Sequence, residues 1–144
     1  MKSAYIYLTV LSLCFLSCDP PIYQVPIDGT YKKEIGFECG TIDMECNTIG
    51  GINFTIKQVY HTTNAVKISP QSLSVKHKDK VVKYTTYLNG NVVKELQNVL
   101  NGDIVVVNFI EKVSKNDTIT VNLYNFLHCN EKSINAGNIH VVIK

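Results

Sequence analysis

The side chains best suited to chemistry in this sequence are its cysteines and histidines. His128 and Cys129 are adjacent, and Cys39, Cys46 and His61 are the candidates to join them. Two chemistries would use such a set. A tetrahedral zinc site takes Cys and His, usually from close pairs with two to four residues between them. The gap from Cys39 to Cys46 is wider, and no second close pair follows. A Cys–His nucleophile needs thiolate and base in contact, with a third group orienting the base. Neighbours on a strand point to opposite faces, which would separate His128 from Cys129. His77, His61 and His140 fall in polar stretches or on a polar face, and none calls for a special role. The carboxylates, Glu34, Asp43, Glu95 and Glu111 among them, are scattered. Nothing selects the pair that a glycosidase holds across a cleft. G-x-S-x-G, a glycine-rich phosphate loop and H-E-x-x-H are all missing. The expectation is therefore no catalytic, cofactor or metal residue, and no enzyme.

The elements that would position these residues begin after a leader. Met1-Lys2-Ser3 carries one positive charge, and the 14 residues Ala4 to Ser17 carry none. A bilayer-spanning helix needs about 20 apolar residues, so this run reads as a secretory signal and not as a permanent span. An ordinary signal-peptidase cut after Ser17 would place Phe15 third-last, where a small residue is wanted. Phe15-Leu16-Ser17-Cys18 instead resembles a bacterial lipobox, matching it in the small residue and the cysteine and departing from it at Phe15. That resemblance implies that Cys18 is lipidated and becomes the first residue of the mature chain. Stable membrane anchoring takes more than one acyl chain, and bacterial lipoproteins typically carry three.

With Cys14 lost in the leader and Cys18 acylated, Cys39, Cys46 and Cys129 remain. An exported chain can keep a disulfide, and an odd count leaves one thiol over. Proximity favours Cys39–Cys46, with Cys129 as the alternative partner. Were Cys18 not acylated, two bridges would be possible.

Composition narrows the partners. Formal net charge is +2, every basic residue is lysine, and arginine is absent. Arginine is the preferred bidentate grip on phosphate and guanine, so no nucleic-acid partner is expected. Lys76, Lys78, Lys80 and Lys83 cluster around Asp79. They read either as a charged edge that discourages strand pairing or as a contact for anionic lipid or polysaccharide. Asp117-Thr118-Ile119 resembles the Asp-Thr/Ser-apolar site of bacterial O-glycosylation, which would make Thr118 a modified residue.

The rest of the chain reads as strands and turns. Residues 18–28 hold three of the four prolines and are expected to form a tether, with one domain over 29–144. Strands are predicted at 30–37, 52–57, 66–68, 73–75, 81–88, 103–111, 118–126 and 139–143, from alternation and β-branched content. Residues 39–46 read as turn-rich. Asn89-Gly90 is a type I′ hairpin signal, returning the chain through 91–96, although 92–100 also fits a helical face. Seven to nine short strands predict an all-β antiparallel sandwich. "LNGDIVVVNF" is similar to a corner of immunoglobulin-like sandwiches, where a Gly-Asp turn leads into a central strand. The functional expectation is an exported, membrane-anchored lipoprotein of a Gram-negative envelope, in the outer membrane with a periplasmic or surface face. It would act as a binding or structural module toward an envelope protein or polysaccharide. The alternative is an inhibitor or immunity lipoprotein that inserts the 39–46 loop into a secreted hydrolase.

Overall fold

The computed structural model describes residues 22–25, 29–49, 53–134 and 138–144. The leader and Cys18 lie outside the described residues. Period-two alternation becomes two facing layers. The first is a six-stranded sheet. It contains β2 (Thr30–Phe37), β3 (Gly40–Ile49), β4 (Asn53–Thr62), β8 (Tyr84–Leu88), β9 (Asn91–Val93) and β11 (Ile104–Ile110). Their order is β2-β3-β4-β11-β8-β9. The second layer has two parts. Its five-stranded part orders β1 (Ile22–Val25), β15 (Asn138–Ile143), β12 (Thr118–Asn122), β6 (Ser74–His77) and β7 (Lys80–Val81). Its four-stranded part orders β10 (Gln97–Val99), β5 (Val66–Ile68), β13 (Leu127–Cys129) and β14 (Lys132–Ile134). The chain runs from β5 into β6 and from β12 into β13, so the two parts share their central strands.

The result is the all-β sandwich expected from the sequence, antiparallel in every described pairing except β1 with β15. Short segments such as β7 and β9 raise the described strands above the seven to nine expected. Pro70 interrupts the β5–β6 strand with a 3-10 turn, Pro70–Ser72, because proline cannot donate to a ladder. The Tyr84 hydroxyl, from the other layer, lies 2.8 and 2.6 Å from the carbonyl oxygens of Pro70 and Leu73. Phe54 and Phe109 stack at 5.5 Å in the core, with Ile56, Val107, Val121 and Val141 buried around them. Both central residues of the Asn89-Gly90 turn have positive φ, 49° and 83°, as a type I′ hairpin requires. β9 and β10 occupy the region of the helical alternative, and Leu96 and Leu100 are exposed. The Gly-Asp corner forms as expected: Asp103 Oδ2 accepts from the Leu100 N–H at 2.8 Å, and β11 follows between β4 and β8.

Three expectations need correction. Four residues of the expected tether form β1, which pairs in parallel with β15, Ile22 opposite His140. The folded unit thus takes in residues before 29. Proline near both ends of this segment is tolerated because β1 is an edge strand. Residues 40–49 are not turn-rich. They form β3, with Ile42, Met44 and Cys46 inside and Asp43 outside. The third is cover: both alternating faces of Asp103–Glu111 are mainly apolar, which suits a strand covered on both sides, yet only the inward Val105, Val107 and Phe109 of β11 are buried, while Ile104 on the other face is exposed.

Gly40 is the residue that lets β3 start. Its φ is +146°, and a Cβ there would sit 1.9 Å from the His61 carbonyl oxygen. Neither the conformation nor the space suits an L side chain. Gly40→Ala should cost about 2–3 kcal/mol, read as a lowered urea midpoint with unchanged slope. A loss below about 0.5 kcal/mol would mean that the hairpin relaxes freely.

Candidate functional site

The sulfur chemistry resolves first. Cys39 bonds Cys129, with Cα atoms 5.8 Å apart, across 90 residues. The favoured Cys39–Cys46 pairing is therefore corrected to the alternative. Cys39 precedes β3 and Cys46 lies six residues along it from Gly40, which puts them about 20 Å apart on an extended strand. A bridge needs Cα atoms within about 7 Å. Cys46 is free and buried, and burial, helped by the Glu45 charge, pushes its thiol up to about 12. It is inert as a nucleophile. Cys129 is consumed by the bridge, so the Cys–His nucleophile does not form. His128 Nε2 instead sits 3.1 Å from the Asn125 carbonyl oxygen. His61 pairs with Asp43 at 2.8 Å on the outer face of the first layer. Among the described residues no His, Cys, Asp and Glu group is placed to hold a metal.

One titratable cluster is assembled that sequence reasoning passed over. His77 is the last residue of β6. It shares the inward parity of Val75 and pairs with Ile119 of β12. Its Nε2 lies 2.8 Å from Asp117 Oδ2, and its Nδ1 lies 3.1 Å from Glu111 Oε2. Lys78 Nζ reaches Asp117 Oδ1 at 2.8 Å, and the Ser114 N–H donates to Asp117 Oδ2 at 2.8 Å. The side chains of His77 and Asp117 are only 9% and 6% exposed. The tight turn between β6 and β7 supplies Lys78 with φ 49° and Asp79 with φ 65°. Aspartate tolerates that region; lysine there costs about 1 kcal/mol, which the ion pair to Asp117 offsets.

Charge balance explains the cluster. Burial raises the Asp117 carboxyl, but the hydrogen bonds from Lys78, His77 and Ser114 and the Lys78 charge outweigh it and hold the group below its ordinary value. A Glu–His–Asp string can move protons. Below it, however, the cavity among Val75, Val82, Phe109 and Ile119 measures only about 10 Å³, the room of a single water. No substrate fits against the imidazole from that side. The geometry is that of a structural ion cluster closing one end of the sandwich.

Larger spaces exist, one of them an open cleft of about 290 Å³ on the other side of Asp117, lined also by Lys78, Asn116 and Thr120. A cavity of about 270 Å³ opens between the layers, walled by Ile35, Phe37, Ile42, Leu123, Phe126 and Leu127. Its polar lining includes Gln58, whose Oε1 accepts from the buried Tyr60 hydroxyl at 2.7 Å. That volume lies just under the usual range for small-molecule sites. A shallow dish of about 420 Å³ on the outer face of the first layer holds Lys32, Asp43, Glu45 and Lys57. Lys32 there pairs with Glu45 at 3.2 Å, and the Glu45 carboxyl is held down mainly by the Asn47 amide.

The remaining sequence candidates fall on the surface. Thr118 is exposed at the start of β12, beside the buried Asp117. Lys76, Lys80 and Lys83 are exposed. The 39–46 segment expected to serve as an inhibitory loop is a turn and the first part of β3, paired on both sides, so no loop is there to insert.

No protein-family model matches the chain, and no curated protein matches it. Solved structures similar to this chain include the following two. One is the GAE domain of GGA2p from Saccharomyces cerevisiae, with 14% identity, 78% of this chain and 94% of that chain covered, and a TM-score of 0.31. The other is the N-terminal domain of PorA, with 7% identity, 85% of each chain covered, and a TM-score of 0.32. Likeness of this degree carries no argument about function.

Proposed function

We propose that this chain is an exported lipoprotein, anchored through acylated Cys18, whose β-sandwich serves as a non-enzymatic binding or structural module of a bacterial envelope. The observation that carries the reading is the leader: one charge, an uncharged apolar run and Phe15-Leu16-Ser17-Cys18. Sulfur accounting supports it. Cys39 and Cys129 satisfy each other, and Cys46 is shut in the core, so Cys18 has no disulfide partner to take among the described residues. A disulfide also suits an oxidising compartment. Against a Cys–His enzyme stands Cys129, which is taken up by the disulfide. Thr118, exposed on the same domain, is proposed as an O-glycosylation site on the strength of its three-residue motif.

Intact and peptide-level mass spectrometry of the native protein tests this. The expected first residue is Cys18 with acyl mass, and Cys18→Ala should abolish that mass and release the protein from the membrane fraction. A native chain that keeps its leader, or that starts elsewhere without acyl mass, would overturn the anchor.

A further inference from the structure

Gln58 is an amide at a place where the fold calls for an apolar side chain. It shares the inward parity of Phe54, Ile56 and Tyr60 on β4, lies between Met44 of β3 and Val105 of β11, and is 3% exposed. An amide buried without its full set of hydrogen bonds costs stability. Here only the oxygen is satisfied. The Tyr60 hydroxyl is wholly buried, and burial pushes the phenol up, so it keeps its proton and donates to Gln58 Oε1 at 2.7 Å. That bond fixes the amide with its oxygen toward Tyr60 and its NH2 group turned away. The NH2 group has no acceptor among the described residues, and Gln58 lines the cavity of about 270 Å³ between the layers.

The cavity lies between two sheet edges. β2 and β14 are the edge strands of their sheets, and their half-buried Ile35, Phe37 and Ile134 form its rim. Leu123 and Leu127 are buried deeper in its wall. No lysine or histidine lines it, and the exposed Glu38 puts a negative charge at its edge. A dry apolar cavity of about 150 Å³ takes benzene, so this one has room for a larger body. One buried amide donor among apolar walls suits one acceptor. A carboxylate would leave water for a site that offers no cation and would meet Glu38 on the way.

From these observations we propose that the cavity between β2 and β14 binds a small, neutral, apolar molecule whose carbonyl oxygen accepts from the Gln58 amide. The apolar body of the ligand fills the space between the layers. Tyr60 acts as a positioning residue, holding the amide so that its NH2 group faces the ligand. This gives the binding-module reading a ligand class; it rests on that part of the reading and holds whether or not Cys18 is acylated.

Three probes of nearly one shape test it: acetophenone, cumene with a methyl group in place of the oxygen, and benzoate with a carboxylate. The native chain, isotope-labelled and held in lipid nanodiscs where it is acylated, is titrated with each. NMR follows the side-chain amide of Gln58, which Gln58→Met assigns by removing it. The expected result is a saturable shift of that amide with acetophenone, and none with benzoate at the same concentrations. Methionine matches glutamine in size but donates nothing, so the ratio of acetophenone to cumene affinity should fall at least about fivefold in Gln58→Met, the worth of one hydrogen bond. Ile35→Trp, on the edge strand, should fill the rim and weaken acetophenone at least about tenfold, with a cooperative thermal melt showing that the fold is kept. No saturable shift in the wild type up to the solubility limit would overturn the site. Binding of benzoate as tight as that of acetophenone would overturn the neutral ligand class. An unchanged ratio in Gln58→Met would overturn the role of the amide. The mass of Cys18 in the same sample reports on the anchor separately, so a failure here leaves that reading to its own test.

Discussion

Removing the Cys39–Cys129 bridge as C39A/C129A is expected to lower stability by roughly 4–5 kcal/mol in the chain-entropy account, where a cross-link over about 90 residues excludes most open conformations of the unfolded chain. The two cysteines join different layers. Cys39 lies in the turn before β3, and Cys129 ends β13. Without the link, that end is held by the shared core, in which Ile42, Tyr60 and Leu127 are buried, and by the Thr63 bonds to the Cys39 carbonyl oxygen. Reducing the wild type should reproduce most of the loss, and a urea midpoint with and without reductant measures it. Cys46→Ala is the control. It removes one buried sulfur and no cross-link, so about 1–2 kcal/mol is expected, insensitive to reductant. A double variant that loses less than about 1 kcal/mol would mean that the bridge only decorates a sandwich stable without it. Non-reduced peptide mapping should find Cys39 and Cys129 linked and Cys46 free.

The sandwich was legible in the sequence because alternation is a local signal. Thr30–Phe37 appears as a strand with the expected bounds, and Asn89-Gly90 turns as its two positive-φ positions require. Ile119, Val121 and Leu123 face inward together, as do Ile139, Val141 and Ile143. β3 was missed although its alternation is as regular: Ile42, Met44, Cys46 and Thr48 are buried between exposed or half-buried Thr41, Asp43, Glu45 and Asn47. The cysteines at 39 and 46 suggested a closed loop, and acidic residues on the outer face disguised the strand. Treating Cys46 as an apolar residue, which it is once buried, would have recovered it.

The ion cluster was less legible for a physical reason. His77 stands among Lys76, Lys78 and Lys80, so its neighbourhood reads as solvated, yet its parity with Val75 turns it inward. Parity alone marks it as buried; nothing local says what satisfies it. Glu111 and Asp117 come from 34 and 40 residues further along the chain, and only the β6–β12 pairing brings Asp117 near. The same long-range limit hid the disulfide. Proximity in sequence pointed to Cys46, whereas an extended strand carries neighbours apart and the sheet brings distant residues together.

Asp117 should be the most costly acidic residue to lose, and its effect should depend on pH. Asp117→Ala would strip the nearly buried His77 of one carboxylate, the Ser114 N–H of its acceptor and Lys78 of its partner. Breaking a buried pair from one side costs about 3–5 kcal/mol; Glu111 still faces His77, so about 3 kcal/mol is expected at neutral pH. Asp117→Asn should cost less, because the amide oxygen still accepts from Ser114. The pH dependence follows from the direction of the shift. The folded carboxyl sits below its ordinary 3.8, so as acid is added the unfolded chain takes up this proton first. The contribution of the ionised group is therefore complete above about pH 5 and is lost as pH falls through 3.8 toward the lower folded value. Glu45 and Glu131 are also held below their ordinary values, so the wild type loses stability in acid through several groups at once. The difference between wild type and Asp117→Asn isolates the one carboxylate. Urea midpoints at pH 5 and pH 3 should show a gap that narrows at the lower pH. Parallel curves across that range would mean that Asp117 does not carry its charge into the folded cluster, and the account of why His77 is buried there would fall with it.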